Sequence, residues 1–553
     1  MREMVAQRKE RIEMRRLRGS VKMANVHLRF SAWAVLAALF SLSAHAIAGD
    51  SSTAVSPSEK CVSVGAANCL ALVTRAVLGE KKLDSISSLE FAEIGHTQVA
   101  EQSYRQEPFL NSYERLNELV DLKGKRMYRE TKMTWPESDP GPAESSAVVV
   151  VGPDGGVRRS KGADQPCASS DIEAARDALT LGPISVLLAA SQASDVHFEE
   201  QEMLRSTPHL TIGFTTGGQR VRLVVNRSNL LPDAVETISQ LHDFWFYWGD
   251  VERKIYFDNW KIFHGLRYPS TAIEERNGLV WRSRQVLDLQ VNPAIDESQF
   301  AMDPAAKQLS LTARGKDAPF HAGKTVELAA GVMLFSGSWN ATIIRQDDGV
   351  VLLECPLSNQ FVRGLLDEAR RQNPGAPIKA VVSTSDSWPH VGGIREAVAQ
   401  GIPVYVLDLN RPLLERMVKA SHTLDPDPLS RTPREAQWRQ VDRKTYIGSG
   451  PNRIELYPIG GASTERQYMV YLPEHKLLYA SDTLALHDDG GLYDPELTYE
   501  VFEAVERERL DVETVYSMHQ GPLQWSAVLN LLRAAFPSMD DRTAAAPAGP
   551  RGR

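Results

Sequence analysis

The chain has 553 residues, 42% of them apolar and 24% charged, with a formal net charge of −8. That length suffices for two or three domains with large buried cores, and the composition is that of a folded globular chain, which excludes a disordered or fibrous one. The acidic balance excludes phosphate-backbone attraction as a driving force, so no nucleic-acid partner is expected.

The N-terminus carries an address. "FSAWAVLAALFSL" (Phe30–Leu42) is an apolar run too short to span a bilayer comfortably, flanked by Lys22 and Arg29 on one side. Ala44-His45-Ala46 follows with the small-x-small form of a signal-peptidase site. Residues 1–46 therefore read as a cleavable signal peptide, with Met23 as an alternative start, and the mature chain is expected periplasmic or secreted, with no transmembrane span. Cleavage there takes away nine Lys and Arg against three Asp and Glu, moving the net charge from −8 to −14.

Residues 47–84 form a helical and flexible segment, with Cys61–Leu78 read as helix. An oxidising compartment permits disulfides. Cys61 and Cys69 are close enough to bridge; the alternative is four buried thiols, with Cys167 and Cys355.

From 85 to 305 the pattern is that of an α+β domain with a curved antiparallel sheet. "LNELVDLKGKRMYRETKMTW" reads as two strands around a Lys-Gly turn, and "AVVVVGPDGGVRR" as a hairpin. Asp171–Ser191 reads as two helical segments broken at Gly182-Pro183. Thr207–Val291 alternates apolar and polar residues, with turns at Gly217-Gly218 and Gly249-Asp250. Its aromatics, Phe244 to Trp248 among them, are expected to pack against helices; the alternative is an apolar groove for a small-molecule or lipid-like ligand. "GQRVRLVVNRSNLLPDAVET" and "VERKIYFDNWKIFHGLRYP" resemble the periplasmic lipoprotein-carrier half-barrels, a resemblance that implies one curved sheet around helices.

From 320 to 537 strands and helices mix. "GVMLFSG" and "NATIIRQDDGVVLLECP" give three strands, Ser358 caps a helix, "IKAVVSTS" is a buried strand, and "VGGIREAVAQG" is a helix closed by Gly401. "PVYVLDL", "RIELYPIGG", "QYMVYLP", "KLLYASD" and "VETVYSMHQGP" supply later strands, and 538–553 is a tail. The buried strand runs into "VVSTSDSWPHVGG", a His-Gly-Gly turn. This region resembles the metallo-β-lactamase superfamily, whose motif H-x-H-x-D-H-x-G-G follows such a strand. The resemblance implies an αββα sandwich whose loops converge on one or two metal ions. On that pattern Gly392 and Gly393 match the glycine pair and His390 the last motif His. Asp482 matches the bridging Asp, and His519 the final His. Ser385 and Ser387 stand where two His are expected, Pro389 where an Asp is expected, and Ser463 or Thr464 where the turn His is expected.

The resemblance thus leaves His390, Asp482 and His519 as ligands of one site, with Asp482 the candidate catalytic residue. Ser385, Asp386, Ser387, Pro389, Gly392, Gly393, Ser463 and Thr464 are expected at its rim. Hydroxyls are poor Zn²⁺ ligands beside imidazole, so a two-metal hydroxide is excluded. Three readings follow: a hydrolase using water on one Zn²⁺, a non-catalytic ligand-binding relative with an eroded, metal-free site, or a purely structural arrangement with His390 and His519 hydrogen-bonded to Asp482. Asp386 offers a substitute ligand if its loop is re-aimed, whereas Glu465 and His487 read as exposed loop residues. Ser385 or Ser387 beside His390 lacks the G-x-S-x-G elbow of a serine hydrolase.

The leader reading has a direct check. Mass spectrometry of exported protein is expected to find an N-terminus within a few residues of Ile47; material still carrying residues 23–46 would refute cleavage.

Overall fold

Period-2 alternation between Ser88 and Val291 builds one antiparallel sheet, 14-stranded among the described residues. The computed structural model describes residues 56–98, 111–134, 145–160, 162–243, 245–310, 319–337 and 339–539. The expected signal peptide, Phe244 and the tail beyond 539 lie outside these residues, as do the side chains of Trp388 and Pro389. The sheet's long strands include Ser88–Gln98, Asn111–Asp121, Asp250–Phe263, Leu266–Arg276 and Leu279–Val291. The Lys-Gly turn lies between strands Asn111–Asp121 and Arg126–Thr134, and the expected hairpin is Ser145–Gly152 with Gly155–Ser160. Phe91, Val120, Leu210, Phe214, Val221 and Phe257 pack one face of the sheet against helices Ala66–Leu78 and Ser185–Gln192.

The helical reading of Cys61–Leu78 resolves into two helices, Pro57–Val64 and Ala66–Leu78. Gly65 at φ 81° turns the chain between them, a conformation that favours glycine. Cys61 and Cys69 form a disulfide across that break; Cys167 and Cys355 are free and buried. No helix among the described residues is long and apolar enough to cross a membrane.

Residues 324–539 are an αββα sandwich, and its layers are visible in how single strands divide their side chains. In strand Gly349–Leu353, Val350 and Leu352 face one core while Val351 and Leu353 face another. The first core lies between a seven-stranded sheet and helices Asn359–Gln372, Ile394–Ala399 and Arg411–Lys419. The second lies between that sheet and a six-stranded one, where Leu334 and Val382 meet Leu456, Val470 and Tyr516. The outer face of the six-stranded sheet, through Met469, Tyr471 and Leu478, packs helices Pro495–Glu508 and Trp525–Ala535. Strands Gly349–Leu353, Ile378–Val382 and Val404–Leu407 run parallel, as consecutive strands joined by helical crossovers do. Strand Lys324–Ala329 and the short strands Trp438–Val441 and Thr445–Ile447 add to these sheets.

The aromatic run before Gly249 packs rather than lining a groove. Trp245, Tyr247 and Trp248 are buried in the same core as Leu414, Met417 and Val418 of the sandwich. Gly249, expected in a hairpin turn, instead closes a short 3-10 turn at φ 71°. A Cβ there would stand 2.4 Å from the Ser421 carbonyl oxygen and 2.5 Å from His422 Cδ2. Asp250 then accepts from the Ser421 hydroxyl at 2.8 Å, the Thr423 amide at 2.7 Å and the Leu424 amide at 2.9 Å.

His422 sits in this seam with 7% of its side chain exposed and its Nδ1 3.9 Å from Asp427. Burial, and then the Arg395 guanidinium, push its pKa down to about 4 against the weaker pull of Asp427, Asp250 and Asp425. The unfolded chain takes up this proton more readily, so the folded state loses stability as pH falls from 6.5 towards 4. The loss attributable to this group is ~3 kcal/mol. Chemical denaturation across that window is expected to show it, and His422→Gln to flatten the slope; an unchanged slope in the variant would rule His422 out as its source.

Candidate active site of the sandwich

Parallel strands Gly349–Leu353 and Ile378–Val382 end at the same edge, so the residues that follow them meet. After the first comes Glu354, 1% exposed and at φ 78°. After the second come Ser383 to Ser387, then a short helix Trp388–Val391 that carries His390. The short loop is shaped by Gly393, where a Cβ would stand 2.3 Å from Val362 Cγ2 and 2.4 Å from the Ser358 carbonyl oxygen. Only glycine lets the turn lie so close to the N-cap of helix Asn359–Gln372. Gly392 beside it is buried.

His390 is fully buried. Its Nδ1 lies 3.1 Å from Glu354 Oε2 and its Nε2 3.8 Å from Asp482 Oδ2. Asp482 follows strand Leu477–Tyr479, and its Oδ1 lies 3.0 Å from His519 Nε2. His519, beyond strand Thr514–Tyr516, is the most open member of this chain at 35% side-chain exposure. Thr384 accompanies the chain, donating to Glu354 from its backbone N–H at 3.3 Å and meeting the Ser481 hydroxyl at 2.7 Å. Ser481 is at φ 57°, so non-glycine residues hold the left-handed region on both sides of His390, a strain of ~1–3 kcal/mol each.

Charge follows from this geometry. Burial disfavours a cationic His390, but the Glu354 and Asp482 carboxylates outweigh it and raise the imidazole pKa to about 9. Burial would likewise raise the Asp482 carboxyl, yet the His390 imidazole 3.8 Å away and the His519 imidazole at 3.0 Å hold it well below the usual carboxylate range.

The remaining expected residues divide. Asp386 is 2% exposed and forms a buried ion pair with Arg466, 3% exposed, so it points away from any ligand role. Ser385 is fully buried; its Oγ accepts from the Ser387 amide at 3.2 Å and its carbonyl from the Ser383 hydroxyl at 3.2 Å. Ser387 is 1% exposed, and its hydroxyl has no hydrogen-bond partner among the described residues. Ser463 and Thr464 turn to Glu500 on helix Pro495–Glu508, the Ser463 amide at 3.0 Å and the Thr464 hydroxyl at 2.7 Å. A Cβ on Gly461 would stand 2.0 Å from Glu500 Oε2, so that turn is moulded around the carboxylate. Glu465 is half-buried, and His487 is exposed with its ring 4.9 Å from Tyr493.

Glu354, Arg466 and Glu500 are the residues that sequence reasoning missed. The signal for Glu354 is present: "VVLLECP" places one carboxylate at the end of a wholly apolar strand. Arg466 and Glu500 carry no local signal, because their partners are distant in sequence.

Zinc requires neutral imidazoles and free lone pairs that converge on one point. Here His390 Nδ1 faces Glu354 at 3.1 Å, its buried Nε2 stands 3.8 Å from Asp482 with no hydrogen-bond partner among the described residues, and Asp482 Oδ1 is engaged by His519 at 3.0 Å. Among the described residues no group of three or more His, Cys, Asp or Glu side chains is disposed to hold a metal ion. His390, Asp482 and His519 are brought together, but as arranged they do not form such a group.

No family model matches the sequence, and no curated protein matches it. Solved structures similar to part of the chain include a metallo-β-lactamase from Pontibacter korlensis at 18% identity, covering 38% of this chain and 98% of that one, with TM-score 0.31. A metallo-β-lactamase from Erythrobacter litoralis has 17% identity, 39% and 98% coverage and TM-score 0.30. The sec-alkylsulfatase Pisa1 from a Pseudomonas species has 17% identity and TM-score 0.29; 40% of this chain matches 42% of it.

The Asp386–Arg466 pair is open to measurement. Arg466→Met leaves a buried carboxylate unpaired and is expected to cost about 3–5 kcal/mol in urea unfolding. Adding Asp386→Asn should restore most of that loss, since the pair couples; additive losses in the double variant would show that the two side chains act separately.

Proposed function

We propose that this protein is an exported, non-catalytic ligand-binding relative of the metallo-β-lactamase-fold hydrolases, its metal site eroded to an ion-pair chain. The observation that carries the reading is His390, whose Nδ1 lies 3.1 Å from Glu354 and whose Nε2 lies 3.8 Å from Asp482 where the resemblance would have a metal ligand. Serines at 385 and 387 and proline at 389 agree with it, since neither residue type replaces a histidine or aspartate ligand. The turn that would bring another imidazole is instead tied to Glu500. The leader at residues 1–46 supports export. In this reading Asp482 and His519 no longer activate water. They keep the sandwich edge closed and charged.

Zinc titration of the mature protein by calorimetry is the test. No binding tighter than micromolar, weaker than about −8 kcal/mol, is expected. Tight one-to-one binding that disappears in Asp482→Ala would replace this reading with the single-zinc hydrolase.

A further inference from the structure

The larger sheet holds a second feature that the sandwich does not use. Between its helix-side face and helix Ser169–Thr180 lies a cavity of about 700 Å³, a size usual for small-ligand sites. Leu89, Phe91, Leu116, Val149, Phe257 and Tyr268 give it apolar walls. Arg129, Arg282 and Arg284 reach into it from strands Arg126–Thr134 and Leu279–Val291.

Two of these arginines are satisfied. Arg129 lies 2.5 Å from Glu118, and Arg282 donates to Glu274 at 3.0 Å. Arg284 is not. Its nearest carboxylates are Glu93 at 3.6 Å and Glu114 at 3.8 Å, beyond hydrogen-bond distance, and its buried Nε has no hydrogen-bond partner among the described residues. Glu114 is already engaged by the Thr97 hydroxyl at 2.7 Å. The acids on the helix side are also taken: Asp171 by Arg158 at 2.6 Å, and Asp177 by Arg253 at 2.7 Å. Asp243 pairs with Arg276 at 2.6 Å. The cavity therefore presents an under-paired guanidinium, with only long contacts to Glu93 and Glu114 and with Asp171, Asp177 and Asp243 committed elsewhere.

Space is kept for that guanidinium. Gly95 stands opposite Arg284 on the adjacent strand, and a Cβ there would lie 2.6 Å from the Ser283 carbonyl oxygen and 3.1 Å from Arg284 Cγ. Burial raises the Glu93 carboxyl towards its neutral form, against the pull of Arg284. Burial, then the Arg284 charge, push Arg282 down to about 10, while burial lowers Arg284 and the Glu93, Glu114, Glu118 and Glu274 carboxylates outweigh it and keep Arg284 cationic. A buried arginine with idle donors is suited to a carboxylate or phosphate, which it grips with two parallel hydrogen bonds.

We propose that this cavity binds an organic anion with an apolar body, its carboxylate or phosphate head on Arg284 and its body against Leu89, Phe91, Leu116 and Tyr268. The proposal involves no residue of the sandwich and stands whether or not zinc binds there.

The experiment uses the full mature chain and dansylaminoundecanoic acid as a fluorescent probe. Saturable binding with a blue-shifted emission is expected, with displacement by dodecanoate or dodecyl phosphate and not by dodecanol. The better competitor of the two identifies the head group. Arg284→Met should weaken the probe about tenfold or more, the loss of a charge-assisted hydrogen bond. Leu116→Trp, which fills the cavity without removing a charge, should weaken it too and keeps the test alive if Arg284→Met does not fold. Absence of saturable binding, displacement by dodecanol as strong as by the anions, or unchanged affinity in both variants would overturn the proposal.

Discussion

Strand Gly349–Leu353, and Ile378–Val382 beyond Lys379 at its start, are apolar on both faces, and most of the sandwich follows from that. A strand with no wet face must be covered twice, so helices pack one side and a second sheet the other. Their parallel pairing puts both C-terminal ends at one edge. Glu354 and the His390 loop are neighbours for that reason alone. Asp482 and His519 arrive from the facing sheet, where Leu477–Tyr479 and Thr514–Tyr516 also run parallel and end together. The site is the place where two parallel strand pairs finish against each other.

What stands at that place is a matter of charge. Burying an isolated imidazolium or carboxylate is costly, but acid and imidazole groups set side by side offset much of the cost. Glu354, His390, Asp482 and His519 are set in this way, and Asp386 with Arg466 forms a further pair beside them. Removing one member leaves its neighbour uncompensated. This explains how left-handed Glu354 and Ser481, in two different loops, are held: the ion pairs and the packed Gly393 turn over-determine them.

The same logic runs through the larger sheet with a different outcome. Glu274 accepts from Arg253, Arg276 and Arg282, a closed knot of charge that ties neighbouring strands. Arg284, one alternate position further along, is left with long contacts over an apolar cavity. One face of one sheet thus holds both a saturated network and an unsaturated guanidinium. The knot joins towards the sandwich through Arg276 and Asp243, next to Trp245 and Trp248 in the shared core.

Local pattern alone was enough for much of this architecture. Alternation in Thr207–Val291, the break at Gly182-Pro183, the hairpin at Asp347-Asp348-Gly349 and the cap at Ser358 each depend on residues within a turn or two, so each is legible in the chain. The glycine pair and the three ligand-type residues were legible through the resemblance, because strand ends and turns dictate their types. Strand Ser88–Gln98 went unread, since beyond Phe91 its residues are only half-buried and alternate weakly. Whether Cys61 and Cys69 pair depended on how the chain turns at Gly65. Partners were decided only by tertiary structure: Glu354 to His390, Glu500 to the Ser463 turn, Asp386 to Arg466, and the absence of a close one for Arg284. A side chain's type is written in the sequence, but its electrostatic neighbours are set by which strand ends and helix faces the packed sheets bring together, far apart in the chain.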